Sequence, residues 1–409
     1  TTMGATNVEG GQPPQGRRAE PSASELILGA ESEQRPVLSV VMPTLNEEAG
    51  IEECLTKIKR AVDELEITTE IIVSDSSTDR TPAIAREHGA IVVEPDQPGY
   101  GYAYQYAFAR ARGDYIAIGD ADTTYDFEEL PKLFEAVAAG DCDMAMGSRF
   151  DGEIEDGAMP ALHRYIGNPA LTAFLNVFYG AGVSDAHSGF RVLSRDALEQ
   201  LELQSHGMEF ASEMIMDASV KNISIEEVPI TYHERVGDAT LNSFQDGWRH
   251  IKFMLINAPG YLFTIPAFSV MLTGIAFLAI SQFGWTFGGI FFGVNTAVIG
   301  SFLVLLGYEI GFLAVFSTNI GTPIRPQTDP IIDWVQRKVR LEHGATVGLF
   351  ILISSTILFL LMAAQWISSG YTDRPLVVHT LPVLTGMVLG IQTMFNSFFL
   401  DIVRQESST

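Results

Sequence analysis

Apolar runs of four to six residues alternate with stretches of helical spacing from residue 37 to residue 146. Val37–Met42 is such a run, stopped by Pro43, and Glu48–Leu65 follows with Ile51, Leu55, Ile58 and Val62 on one stripe. A stripe at every third or fourth residue marks an amphipathic helix. The same reading predicts strands at Glu70–Ser74, Ala90–Val93, Asp114–Ile118 and Cys142–Met146, and helices at Asp79–His88, Tyr102–Arg112 and Phe127–Ala139. This alternation predicts an α/β fold with a mostly parallel sheet and crossover helices. Ligands bind such open sheets beyond the carboxyl ends of the strands, so the chemistry is expected there.

The pattern changes after residue 260. Four apolar stretches, about Tyr261–Ser281, Ile290–Phe316, Thr346–Ile367 and Leu381–Leu400, follow one another. Each reaches the roughly 20 residues that cross a bilayer as a helix. Arg249 and Lys252 precede the first span, Arg325, Arg337, Lys338 and Arg340 lie between the second and third, and Arg404 follows the fourth. The opposite side carries only Arg374. The positive-inside rule then places the soluble part and both termini in the cytoplasm, as in a multi-pass protein of the cell membrane. Glu309 falls inside the second span. A charge there costs at least about 2.5–3.5 kcal/mol, so Glu309 is expected to be protonated or paired with a polar group on another span.

Two segments before the spans have apolar residues at helical spacing. Pro160–Tyr179 carries Leu162, Ile166, Ala170, Phe174 and Phe178. Leu241–Asn257 carries Phe244, Trp248, Phe253 and Met254 beside Arg249 and Lys252. Each can lie flat on a membrane or pack on its own domain. Residues 1–36 are rich in Gly, Pro, Glu, Gln and Ser without apolar period, and read as a disordered tail with no signal peptide. The expected order is tail 1–36, soluble domain 37–240, interface helix or linker 241–259 and membrane domain 260–409.

Charge narrows the partners. The formal net charge is −25, with six Lys against nineteen Arg. A nucleic-acid partner is excluded, because phosphate backbones demand a basic surface. Such an acidic balance suits a high-salt cytoplasm, where screening removes self-repulsion, although an acidic protein of ordinary salt has the same composition. Cys54 and Cys142 lack metal-ligand spacing and read as buried reduced thiols.

Three strand ends carry acid groups. The first runs into Pro43-Thr44-Leu45-Asn46-Glu47, the second into Val73-Ser74-Asp75, and the fourth into Gly119-Asp120-Ala121-Asp122. Two carboxylates this close suit a hard cation such as Mg²⁺ or Mn²⁺, which bridges to a pyrophosphate. The plainer reading of Asp120 and Asp122 is capping of the helix at Phe127, which Asp126 can do alone. For Asp75 it is an Asx turn.

These motifs resemble those of the family 2 glycosyltransferases with the GT-A nucleotide-sugar-binding fold, and among them the dolichyl-phosphate mannose and glucose synthases. The resemblance covers about residues 37–250. Pro43–Glu47 is similar to the family's P-x-x-N-E, Asp120-Ala121-Asp122 to its D-A-D, Gly147-Ser148-Arg149 to its G-S-R, and Asp185–Arg191 to its D-x-x-S-G-F-R. Glu213 corresponds to a later acidic residue, and Arg235-Val236-Gly237 to the start of R-x-G-x-S-K, although Ala239 and Thr240 stand for Ser and Lys.

The resemblance implies transfer of a hexose from UDP-glucose or GDP-mannose to a polyprenyl phosphate, with Mg²⁺ or Mn²⁺ as cofactor. It implies donor contacts from Pro43, Leu45, Glu47, Asp75 and Asp120, and metal ligation by Asp120 and Asp122. Thr124 stands where the family often has a metal-binding Gln, and is carried over as a third candidate metal ligand. Asp120, Asp122, Arg149 and Arg235 are implied as the catalytic set, with Arg149, Arg164 and Asn168 on the acceptor phosphate. Arg suits this task because it grips phosphate with two parallel hydrogen bonds. Any of these arginines can instead be a surface ion pair. Membrane lipid is a further expected partner, and assembly of identical chains stays open. A processive polysaccharide synthase is the nearest rival, but its Q-x-x-R-W motif is missing. A lipid flippase or transporter with an inactive nucleotide-binding domain is a rival of another class, and predicts more polar residues within the spans.

Overall fold

The structure, a computed structural model, describes residues 26–237, 243–257, 260–284, 286–320, 341–372 and 376–406. It forms two compact units. The first holds the described residues within Thr1–Ala158, Gly189–Glu199 and Glu226–Ala239; the second holds those within Met159–Ser188, Gln200–Ile225 and Thr240–Thr409.

The core of the first unit is a seven-stranded sheet. Its strands are β1 (Leu38–Thr44), β2 (Thr69–Asp75), β3 (Ile91–Val93), β4 (Tyr115–Ile118), β5 (Met144–Ile154), β6 (Arg191–Ser194) and β7 (Ile225–Tyr232), in the order β3-β2-β1-β4-β6-β5-β7. β1 pairs in parallel with β2 and β4, and β2 with β3. β6 runs antiparallel between β4 and β5. The sequence pattern did not predict β6, because four residues are too short to show a period. β1 is buried along nearly its whole length, as a strand covered on both faces must be.

Helices α1 (Ile51–Leu65), α2 (Thr81–Glu87), α3 (Tyr100–Phe108) and α4 (Leu130–Ala138) connect the strands. The stripe Ile51, Leu55, Ile58 and Val62 is fully buried against Val40 and Met42 in one apolar cluster. α3 starts two residues before the expected Tyr102, and a 3₁₀ turn at Phe127–Glu129 precedes α4. Asp126 caps that turn, accepting from the Glu128 N–H at 3.1 Å.

One boundary is corrected. Residues 26–36, expected within the tail, are part of the first unit's structure: Leu26 joins the core and the Leu28 N–H donates to the Thr69 carbonyl at 2.8 Å. Arg112 then donates to the carbonyls of Ser32 and Gly29 at 2.8 and 3.2 Å. Two leucines and a sheet edge outweigh the polar composition around them. Residues 1–25 lie outside the described residues.

In the second unit, α5 (Asn168–Tyr179) and α7 (Phe210–Val220) precede α8 (Ser243–Ile256); α6 (Arg195–Gln200) belongs to the first unit up to Glu199. α5 buries Thr172, Leu175 and Tyr179 and exposes Val177, while Leu162, Tyr165 and Ile166 just before it are also exposed. α8 buries Met254, whose carbonyl accepts from the Tyr179 hydroxyl at 2.7 Å, and exposes Trp248 and Ile256. Each segment therefore packs on its own unit along one side and turns apolar groups outward on another.

Among the described residues four helices are long and apolar enough to cross a membrane: Leu262–Phe283, Val294–Ser317, Leu341–Ser368 and Val377–Ile402. They belong to α9 (Ile265–Phe283, with the turn before it), α10 (Val294–Ile320), α11 (Leu341–Ser368) and α12 (Val377–Glu406). α9 and α10 meet through backbone: a Cβ on Gly274 would lie 2.6 Å from the Val304 nitrogen, and one on Gly307 2.6 Å from that of Met271. α11 and α12 meet in the same way at Gly348 and Gly390, where a Cβ would lie 2.6 Å from the Met394 and Leu352 nitrogens. Glu309 on α10 finds the expected polar neighbour: the Gln392 amide on α12 lies 3.5 Å from its carboxylate. Arg325, Arg337, Lys338, Arg340 and Arg374 lie outside the described residues, as does the Arg404 side chain.

Candidate active site

The carboxyl ends of β1, β2 and β4 bring their loops together. Asn46 stands in the left-handed region at φ 59° and clasps the β2 loop: its N–H donates to Ser77 Oγ at 2.7 Å, and its Oδ1 accepts from the Thr78 N–H at 2.9 Å. Asp75 is buried; its Oδ1 accepts from the Thr44 hydroxyl at 2.7 Å and its Oδ2 from the Ser77 N–H at 3.3 Å. The Asx turn is thus present. β1 runs through Pro43 to Thr44, and Leu45 projects from the loop with 60% of its surface exposed. α1 begins beside Gly50, where a Cβ would sit 2.8 Å from the Ala121 carbonyl. Only glycine lets the helix start come this close to the Asp120–Asp122 loop.

That loop is held from several sides. Thr123 stands at φ 65°, an unfavourable place for a β-branched residue, and its hydroxyl donates to the Asp122 carbonyl at 2.6 Å. The Thr124 hydroxyl and N–H both donate to Asp122 Oδ1, at 2.6 and 3.1 Å. The end of β7 runs alongside: the His233 N–H donates to the Thr124 carbonyl at 2.9 Å and the Val236 N–H to the Asp122 carbonyl at 3.2 Å.

This ladder delivers Arg235. Its Nη2 donates to Glu47 Oε1 at 2.6 Å and its Nη1 lies 3.5 Å from Asp122 Oδ2. Arg235 is an ion pair, but its partners are the strand-end carboxylates themselves. Burial, then the neighbouring Asp122 charge, pushes the Asp120 carboxyl up to about 7. Burial likewise raises Glu47, against the pull of Arg235. Three acid groups, Glu47, Asp120 and Asp122, and one guanidinium therefore share a poorly solvated corner, a pattern concentrated at functional sites.

Asp120 has two neighbours that the sequence reading missed. The Tyr100 hydroxyl donates to its Oδ1 at 2.7 Å. Gly189, from the D-x-x-S-G-F-R match, lies against Oδ2, where a Cβ would come within 3.1 Å, and its N–H donates to the Tyr125 hydroxyl at 2.7 Å. The only sequence signal for Tyr100 was its place in Pro98-Gly99-Tyr100-Gly101, after a strand. Arg149, on β5, is buried with its guanidinium 5.1 Å from the centre of the Tyr232 ring.

Arg164 and Asn168 lie in the second unit. The Arg164 guanidinium is 5.6 Å from the Tyr165 ring centre, and the Asn168 amide reaches Met159 Sδ at 3.5 Å. Glu213, also there and buried, accepts from the backbone N–H groups of Gln204 and Ser205 at 2.9 and 2.8 Å. Ser212 Oγ lies 3.2 Å from His187 Nε2 and 2.9 Å from His250 Nδ1. Ala239 and Thr240 lie outside the described residues. Both cysteines are free and buried, and burial raises their thiols to about 12 for Cys54 and about 11 for Cys142.

The donor set fits Mg²⁺ or Mn²⁺. Among the described residues no three His, Cys, Asp or Glu side chains gather to hold an ion alone. Asp120 and Asp122 offer hard oxygens, the usual protein share where phosphate and water complete the shell. A guanidinium already stands beside Asp122 Oδ2, so the pair accommodates positive charge.

An α/β sheet with acidic strand ends, joined in one chain to apolar helices of membrane length, marks a membrane protein. The glycosyltransferase family 2 pattern matches residues 39–202, and the pattern of the family 2 C-terminal transmembrane region matches residues 318–404. The low-salt glycan biosynthesis hexosyltransferase Agl6 of Haloferax volcanii is 53% identical over 93% of this chain and 92% of its own length. A dolichyl-phosphate hexose transferase of the same organism is 35% identical over 51% of this chain and 89% of its own. A crystal structure of glucosyl-3-phosphoglycerate synthase from Mycobacterium tuberculosis, with Mn²⁺, UDP and glucosyl-3-phosphoglycerate, is 26% identical at a TM-score of 0.45, covering 60% of this chain and 86% of that one. The chain belongs to glycosyltransferase family 2 and is a glycosyltransferase.

Proposed function

We propose that the protein transfers a hexose from a nucleotide diphosphate sugar to dolichyl or another polyprenyl phosphate at the cytoplasmic face of a membrane, with inversion at the anomeric carbon. UDP-glucose and GDP-mannose are the donors to test. The observation that carries this reading is the joining of Asp120, Asp122, Glu47 and Arg235 at the ends of β1 and β4. Two relatives named for hexosyl transfer, one of them to dolichyl phosphate, support it.

A polyprenyl phosphate is already a dianion near neutral pH, so the site needs no strong base. Its oxygen attacks the anomeric carbon while the bond from that carbon to the diphosphate breaks, and the nucleotide diphosphate leaves with the electron pair. Positioning and charge stabilisation supply the rate. Asp120 accepts donor hydroxyl groups, and Asp75 and Glu47 line the nucleotide. Arg235 turns from Glu47 toward the departing diphosphate. Arg149 holds the acceptor phosphate. Asp120 and Asp122, with Thr124 orienting the latter, would hold a divalent cation, which would supply positive charge against the leaving group. The outward apolar groups of Leu162, Tyr165, Trp248 and Ile256 rest in the membrane surface.

The test is incubation of membranes containing the protein with Mg²⁺ or Mn²⁺, a polyprenyl phosphate and a panel of labelled nucleotide sugars. One donor is expected to give a labelled, organic-extractable lipid. No labelled lipid with any donor overturns the reading.

A further inference from the structure

We propose that Tyr100 is a positioning residue of the transfer site, whose hydroxyl fixes the Asp120 carboxylate in the single orientation that receives the nucleotide sugar. This rests on the transferase reading above and adds to it a residue on α3 that takes no part in the motif matches.

The two carboxylates of the Asp120–Asp122 loop are built alike. Each has Oδ1 taken by a neutral hydroxyl, Tyr100 at 2.7 Å for Asp120 and Thr124 at 2.6 Å for Asp122. Each keeps Oδ2 for something else: that of Asp120 lies along the Gly189 backbone, and that of Asp122 faces Arg235. A hydroxyl orients a carboxylate without cancelling its charge, whereas a Lys or Arg in the same place neutralises it. The negative charge that a cation or donor hydroxyl meets is thereby preserved while the oxygens stop rotating.

Tyr100 is itself held. It is the first residue of α3, directly after Gly99, whose φ of 139° belongs to glycine. Its ring packs edge-on against Tyr104 at 5.2 Å and 85°, and Tyr104 is fully buried. On the far side of the carboxylate, Gly189 is pinned by its hydrogen bond to Tyr125. Asp120 is thus bracketed between a fixed donor and a fixed backbone. Groups held this way lose no orientational freedom when the substrate arrives.

Tyr100→Phe keeps the ring and removes the bond. Tyr102→Phe is the matched control, since Tyr102 lies on the same helix and donates to exposed Asp96 instead. Initial rates of the full chain are measured against nucleotide sugar and against polyprenyl phosphate separately, together with the melting temperature. Tyr100→Phe is expected to raise KM for the nucleotide sugar about tenfold, the scale of a hydrogen bond to a charged group. KM for the polyprenyl phosphate and the melting temperature stay at wild-type values, and Tyr102→Phe matches wild type throughout. A donor KM within threefold of wild type, or a parallel rise in both KM values with a lower melting temperature, overturns the Tyr100 assignment while the transferase reading stands. A wild-type protein silent with every nucleotide sugar overturns both.

Discussion

The first unit and the membrane helices of the second hold together by opposite means. In the first, large apolar side chains such as Leu55, Ile58, Phe127 and Phe190 are fully buried beneath the sheet. Removing that surface from water is the main stabilising term there. In the membrane helices the large side chains face outward; Leu360, Leu361 and Phe350 are all more than half exposed. Those helices come closest at Gly274, Gly307, Gly348 and Gly390, where backbone meets backbone. Lipid is as apolar as leucine, so burying leucine gains little there, while close backbone approach gains packing. The same residue type is therefore core in the first unit and lipid-facing coat on the membrane helices.

The site adds a third kind of environment to the comparison, and it gives the largest expected effect. Asp122→Ala removes the carboxylate that Thr124 orients and Arg235 approaches. Transfer is expected to fall at least a thousandfold, about 4 kcal/mol of transition-state stabilisation, while the protein still folds and inserts. Single-turnover transfer assays and gel filtration in detergent check both halves, and full activity in this variant would remove the carboxylate assignment. Leu55→Ala opens a cavity in the first unit and is expected to cost about 2–5 kcal/mol of stability, read as a lower melting temperature. Gly348→Val forces a side chain onto the Met394 backbone and is expected to cost about 1–3 kcal/mol, read as earlier heat aggregation of the membrane unit. Leu360→Ala, on an outward face, is expected to change stability by less than about 0.5 kcal/mol in a lipid bilayer. If Leu360→Ala cost as much as Leu55→Ala, the contrast between the units would be wrong.

Much of this was legible from local pattern. The α1 stripe, the four spans and the acid groups at strand ends all appear within windows of a few residues, where the helix and strand periods are visible. The Asx turn at Asp75 and the cap at Asp126 were legible too, because each is a bond between near neighbours. The tail was misjudged at residues 26–36 because composition suggested disorder, while Leu26 and Leu28 are buried and the Leu28 N–H bonds to Thr69, far along the chain.

The sequence by itself determined the kind of protein: its alternating elements, its membrane spans and the motifs that place it in a glycosyltransferase family. Tertiary structure alone decided which groups meet. Arg235 reaches Glu47 across 188 residues of chain, because β7 runs beside the Asp120–Asp122 loop. The antiparallel insertion of β6 carries Gly189 to the Asp120 carboxylate, and the start of α3 carries Tyr100 to it. Periodicity is a local property of a chain, whereas the partner of a buried charge is set by whatever the fold brings within about 3 Å of it.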